Sequence, residues 1–211
     1  MSAREAILAR VRRAAGAADA AAVEARLAGG QAAPVPRQGQ AAGAARVEQF
    51  IAKARTADAT VARLATPDEL PKALAEELRA RNLPAAIRTG ADPLFDRDWG
   101  GIERSQGIGR LDEPATLSRA QMAMAETGTL LLASGAENPV TLTFLGETHF
   151  VVVMAADIHA GFEDMWAAWR ARGLDPRTVN LVTGPSRSAD IGQMLQLGAH
   201  GPVALHIFVV G

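Results

Sequence analysis

HFVVVMAADIHAGFEDMWAAWRARGLDPRTVNLVT, residues 149–183, sets an apolar β-branched run, an amphipathic run and a second β-branched run end to end. Residues 149–155 are short and Val-rich, the pattern of a buried strand. Residues 158–172 bring Phe162, Met165, Trp166 and Trp169 onto one helical face and stop at Gly173, a residue suited to close a helix. Residues 178–183 return to strand character. Strands separated by helices of this length predict an α/β protein with a largely parallel sheet covered on both faces.

The alternation extends outward in both directions. Residues 59–65 and 85–88 read as strands, and the helix between them opens on Thr66-Pro67-Asp68-Glu69, with Thr as cap, Pro in the first turn and acids at the positive end. Residues 102–108 read as a strand, 118–125 as a helix, 129–133 as a strand before the Ser134-Gly135 turn, and 205–210 as the last strand. A helix over residues 42–53 buries Val47, Phe50 and Ile51. Residues 2–28 are rich in Ala and Arg, with Ile7, Leu8, Val11, Val23 and Leu27 at helical spacing, so an amphipathic helix or helix pair is expected. Gly29-Gly30 and Pro34-Val35-Pro36 end it and begin an extended linker. The expected division is a helical arm and linker over residues 1–44 and an α/β domain over 45–211.

Composition removes several function classes. The 211 residues are 48% hydrophobic and 21% charged, ordinary for a soluble globular protein. Aromatics are 4% with no Tyr, and the net charge is −1, so neither stacking platforms nor a basic field for nucleic acid is present. No apolar run reaches the roughly 20 residues of a membrane span, and the N-terminus lacks the order of a signal peptide, so a cytoplasmic protein is expected. Without cysteine the chain has no disulfide, no thiol nucleophile and no thiolate ligand for zinc or an iron–sulfur cluster.

Chemistry concentrates after residue 182. In an open α/β sheet, ligands bind at the carboxyl ends of strands, where Thr183-Gly184-Pro185-Ser186-Arg187-Ser188-Ala189-Asp190 is expected to lie. Gly184 permits a tight turn and Pro185 stiffens it. Ser186, Arg187 and Ser188 offer hydroxyls, a guanidinium and backbone N–H groups at a helix start, which suit a carboxylate or phosphate. The plainer alternative has Ser188 capping that helix, Asp190 favouring its first turn and Arg187 in water, together worth about 1 kcal/mol. The turn is neither a Walker loop nor a nucleophile elbow. Glu126, in Ala125-Glu126-Thr127-Gly128-Thr129, is an acid/base candidate or a surface carboxylate beside a turn. His200, between Gly198 and Gly201-Pro202, could meet an anion or cap helix carbonyls. His149, His159 and His206 share no metal-ligand spacing, and no metal is assigned. Ser186, His200 and Asp190 have the residue types of a hydrolytic triad but no supporting signature.

Thr183 to Ile191, with Leu195, Leu197-Gly198, His200-Gly201-Pro202 and Leu205-His206, resembles the C-terminal signature of the lactate-utilisation protein C family of LUD-domain proteins. Glu126-Thr127-Gly128-Thr129-Leu130 resembles its second motif, and Glu137-Asn138-Pro139 follows in place. The resemblance spans about residues 45–211. It implies a Rossmann-like fold similar to the ribose-5-phosphate isomerase, glucosamine-phosphate deaminase and CoA-transferase group, which hosts many reactions. It also implies a role in oxidising L-lactate to pyruvate beside partner proteins, one of them with iron–sulfur clusters, and names no cofactor for this chain. Gly192 departs from the acidic or polar residue usual after the Ile, and the arm matches no motif. Two functions follow: an accessory subunit that binds a small anionic ligand, or a free-standing isomerase- or CoA-transferase-like enzyme on a phosphorylated or carboxylated metabolite. The candidate set is Glu126 for catalysis, with Thr127, Gly128, Thr183, Gly184, Ser186, Arg187, Ser188, Asp190 and His200 as anion contacts. It requires Glu126 and Arg187 to share one cleft.

Overall fold

Two strongly apolar runs, Thr148–Met154 and Ala204–Val210, pair in parallel over their whole length. The computed structural model describes residues 2–15, 19–29, 34–111, 113–189, 195–198 and 200–211. It divides into two units, Met1–Pro34 and Val35–Gly211. The first holds helices α1 (Ala3–Ala15) and α2 (Ala20–Ala28). Asp19 caps α2 by accepting from the N–H groups of Ala21 and Ala22 at 3.0 and 3.2 Å, which satisfies two otherwise orphaned donors.

The second unit carries helices α3 (Gly43–Thr56), α4 (Leu70–Ala80), α5 (Val140–Phe144) and α6 (Phe162–Arg172). Its strands are β1 (Thr60–Leu64), β2 (Ala86–Thr89), β3 (Glu103–Gln106), β4 (Ala115–Arg119), β5 (Met122–Met124), β6 (Thr129–Ala133), β7 (Thr148–Met154), β8 (Ile158–His159), β9 (Val179–Val182), β10 (Arg187–Ala189), β11 (Leu195–Leu197) and β12 (Ala204–Val210). A six-stranded sheet runs β1-β12-β7-β4-β2-β3, with every neighbouring pair parallel. The fold is the expected Rossmann-like α/β arrangement.

Alternation along β7 and β12 explains why both are apolar throughout. Val151, Val153, Ile207 and Val209 join a core with Phe50, Ile51 and Ala54 of α3. Phe150, Val152, Phe208 and Val210 face the other way, onto Leu70, Leu74 and Leu78 of α4. A second sheet, β8-β5-β6-β9, sends Leu130 and Leu132 to the α3 side and packs Met122, Met124 and Leu131 against Met165 and Trp169 of α6.

Several local readings are corrected. Residues 118–125 form no helix but the end of β4 and the whole of β5, because pairing with β6 and β8 overrides the helical preference of Ala and Met. Residues 158–159 are a strand, and α6 begins only at Phe162; it ends at Gly173 with φ 61°, as its glycine suggested. Thr66 makes no side-chain cap; instead Glu69 Oε2 accepts from the Ala65 N–H at 2.9 Å. The expected helix start at Ser188 is an antiparallel hairpin, with Ser188 in β10 opposite Gln196 in β11. Asp190 lies outside the described residues, so its expected place is left open.

Candidate functional site

The direction of β9 relocates the chemistry. Residues 178–183 were expected within the parallel sheet, delivering their turn to its carboxyl edge. Instead β9 pairs antiparallel with β6, Val182 opposite Leu130. The turn does follow the carboxyl end of a strand, but that end arrives at the amino edge of the six-stranded sheet. There it meets His149 at the start of β7 and Leu205 at the start of β12.

A cavity of about 250 Å³ opens between these parts, walled by Thr183 to Arg187, His200 to Pro202, Thr143 and Phe144 of α5, and His149. Two of its wall residues are nearly sealed from solvent, Thr143 and His149 at 1% exposure each. Among the described residues, Thr143 Oγ1 and His149 Nε2 have no hydrogen-bond partner. Burial also lowers the His149 pKa to about 3, so the ring is neutral at pH 7. Buried polar atoms without partners are costly, and the two side chains that carry these atoms border the cavity.

The turn is tied to its surroundings. Ser186 donates its N–H to Pro202 O at 2.9 Å, and its Oγ accepts from the His200 N–H at 3.3 Å. Arg187 forms an ion pair with Asp58, both half in solvent. Gly184, at φ 77°, lies so close to the end of α3 that an added Cβ would stand 2.0 Å from Ala57 O. Gly128, at φ 72°, is pressed on the same helix, 2.3 Å in the same sense from Ala54 N. The two motifs therefore share one support. A row of hydroxyls joins them, Thr127 to Thr129 at 2.7 Å and Thr129 to Thr183 at 2.6 Å. Thr129→Val, nearly isosteric, removes the middle hydroxyl and is expected to cost about 1 kcal/mol, or roughly 2–4 °C in a thermal melt. An unchanged melting temperature would show that the row carries no stability.

Glu126 is half-buried, with its N–H on Ala160 O at 3.0 Å. Its carboxylate turns toward Gly39 and Gly161, where added Cβ atoms would lie 3.3 and 2.9 Å from Oε2. The described walls of the cavity do not include it. Thr183, Gly184, Ser186, Arg187 and His200 are thus brought together, Thr127 and Gly128 border them through Thr129 and α3, and the Glu126 carboxylate stands apart. The sequence reading did not single out Thr143, His149 or Asp58. A histidine opening an otherwise apolar strand was the available signal for His149. Among the described residues no three His, Asp or Glu side chains gather to hold a metal ion, and no helix is long and apolar enough to cross a membrane.

The LUD domain family matches residues 111–210, the segment that supplies every described wall of the cavity. Over that segment the chain carries the LUD domain and resembles the proteins of that family. It is similar to Lactate utilization protein C of Geobacillus kaustophilus, 33% identical over 95 residues covering 43% of this chain and 40% of that protein. Lactate utilization protein C of Bacillus subtilis is 29% identical over 118 residues, 53% of this chain and 49% of that one. An uncharacterized protein of Neisseria meningitidis is 37% identical over 98 residues, 46% and 42% of the two chains. In each case the match spans less than half of the relative's length. The crystal structure of a DUF162 family protein from Deinococcus radiodurans shares the fold, with a TM-score of 0.61 and 24% identity over 84% of this chain and 100% of that one.

Proposed function

We propose that the protein is a component of a bacterial lactate-utilisation system, working in the cytoplasm beside iron–sulfur and other lactate-oxidation proteins, and that its α/β unit binds a small anion at the amino-edge cavity. The observation that carries the anion site is a cavity that brings the Arg187 guanidinium and the Ser186 turn together with Thr143 and His149, whose Oγ1 and Nε2 are buried and unpartnered among the described residues. The names of the matched relatives support the pathway. A chain without cysteine leaves thiolate-held clusters to partners. That Glu126 is not among the cavity's described walls supports binding over acid/base turnover at that carboxylate.

A thermal-shift series with lactate, pyruvate and phosphate tests the reading. A ligand near a hundred times its Kd adds about 2.7 kcal/mol, or roughly 5–10 °C for a chain of this size. The rise is expected to disappear in Arg187→Ala. No rise with any of these anions, across a concentration range into the tens of millimolar, would overturn the anion site.

A further inference from the structure

The cavity beside Arg187 does not end at its own walls. Phe144, His200 and Gly201 line it and also line a second hollow of about 460 Å³. Gly201 stands at the junction, where an added Cβ would lie 3.3 Å from Ser186 Cβ and 3.9 Å from the Phe144 ring. Beyond it the hollow is walled by Leu111, Leu145 and Val203, with Glu147 at its border. Leu111 is 84% exposed, Val203 43% and Phe144 39%. Single apolar side chains in water are ordinary, but three around one hollow that opens from a polar chamber are a binding feature. The first chamber alone falls short of the usual size of a ligand site, about 300–1,000 Å³.

We infer that the ligand is a monocarboxylate with an apolar tail, its polar head against Thr143, His149 and Arg187 and its tail passing Phe144 into the hollow under Leu111 and Val203. This rests on the anion-site reading above. Glu147 adds selectivity, because a second carboxylate at the far end of the tail would face a like charge. A three-carbon acid fills only the first chamber.

Titration calorimetry of the full chain with lactate, 2-hydroxyhexanoate, 2-hydroxyoctanoate and the dicarboxylate suberate tests this. Affinity is expected to rise roughly fourfold per buried methylene along the 2-hydroxy acids, and suberate is expected to bind more weakly than 2-hydroxyoctanoate. Leu111→Asp, at a position too exposed to endanger folding, is expected to flatten the dependence on chain length. Equal affinity for short and long acids, or a length dependence untouched by Leu111→Asp, would overturn the tail site and leave the anion site standing. Failure of every acid to bind would overturn both.

Discussion

Gly184→Ala is expected to lower the melting temperature by roughly 10 °C, and Gly128→Ala by a similar amount. Each residue has a left-handed backbone, φ 77° and 72°, which costs an L side chain about 1–2 kcal/mol. Each added methyl would also meet backbone of α3, Ala57 O at 2.0 Å and Ala54 N at 2.3 Å. Backbone cannot step aside as a side chain does, so overpacking adds about 1–3 kcal/mol. About 2–5 kcal/mol in total corresponds to roughly 4–20 °C at this chain length, with 10 °C near the middle of that range. Gly135→Ala is the control, since an added Cβ there meets nothing within 4 Å. Melting of Gly184→Ala at the temperature of that control would refute the close support of the turn by α3.

Acid is expected to destabilise the protein before its carboxylates titrate. Burial lowers the pKa of His149 to about 3, and burial together with the charge of Arg81 lowers that of His206 to about 3. Glu77 Oε2, 3.3 Å from His206 Nδ1, favours the charged ring, but Arg81 engages the same oxygen at 3.1 Å and burial prevails. Both rings fold neutral, whereas in the unfolded chain they bind protons below about 6.5. The stability they contribute is therefore complete above pH 6.5 and is lost as pH falls toward 3. Each ring forfeits about 1.4 kcal/mol per pH unit, so the pair costs on the order of 4 kcal/mol between pH 6.5 and 5. His159, with its pKa lowered by partial burial and by Arg46 and Arg172, adds in the same direction. Urea unfolding at pH 7, 6 and 5 measures the loss, and His206→Gln should roughly halve the slope. A stability that stays flat from pH 7 to 5 would contradict neutral, buried rings.

The elements read well from sequence are those whose pattern is local. Val47, Phe50 and Ile51 mark the buried face of α3, and the Val-rich run of β7 needs both its covered faces to make sense. Residues 118–125 misled because Ala120, Met122, Ala123, Met124 and Ala125 carry helical propensity and are all fully buried, which leaves no polar side to betray the period. The partner of β9 was illegible for another reason. Pairing with β6 joins segments far apart in the chain, as the contact of Thr183 with Thr129 across 54 positions marks, and nothing near Thr183 records it. That single pairing moves the candidate site from the carboxyl to the amino edge. The motif residues were legible as a group, but not the turn of residues 125–128 that sends the Glu126 side chain toward Gly39 and Gly161.

The place of β12 bears on the order in which the molecule can be made. Among the described residues strand β1 is an edge strand whose sole neighbour is β12, and Thr60 finds its opposite in His206 after 146 positions of chain. A nascent chain emerging from the ribosome thus carries β1 and β7 with open edges until residues 204–210 arrive and fill the gap between them. Such late, distant pairing slows folding and leaves unpaired strands open to wrong partners. The cavity, which needs Leu205 and Pro202 beside His149, is completed in that same step.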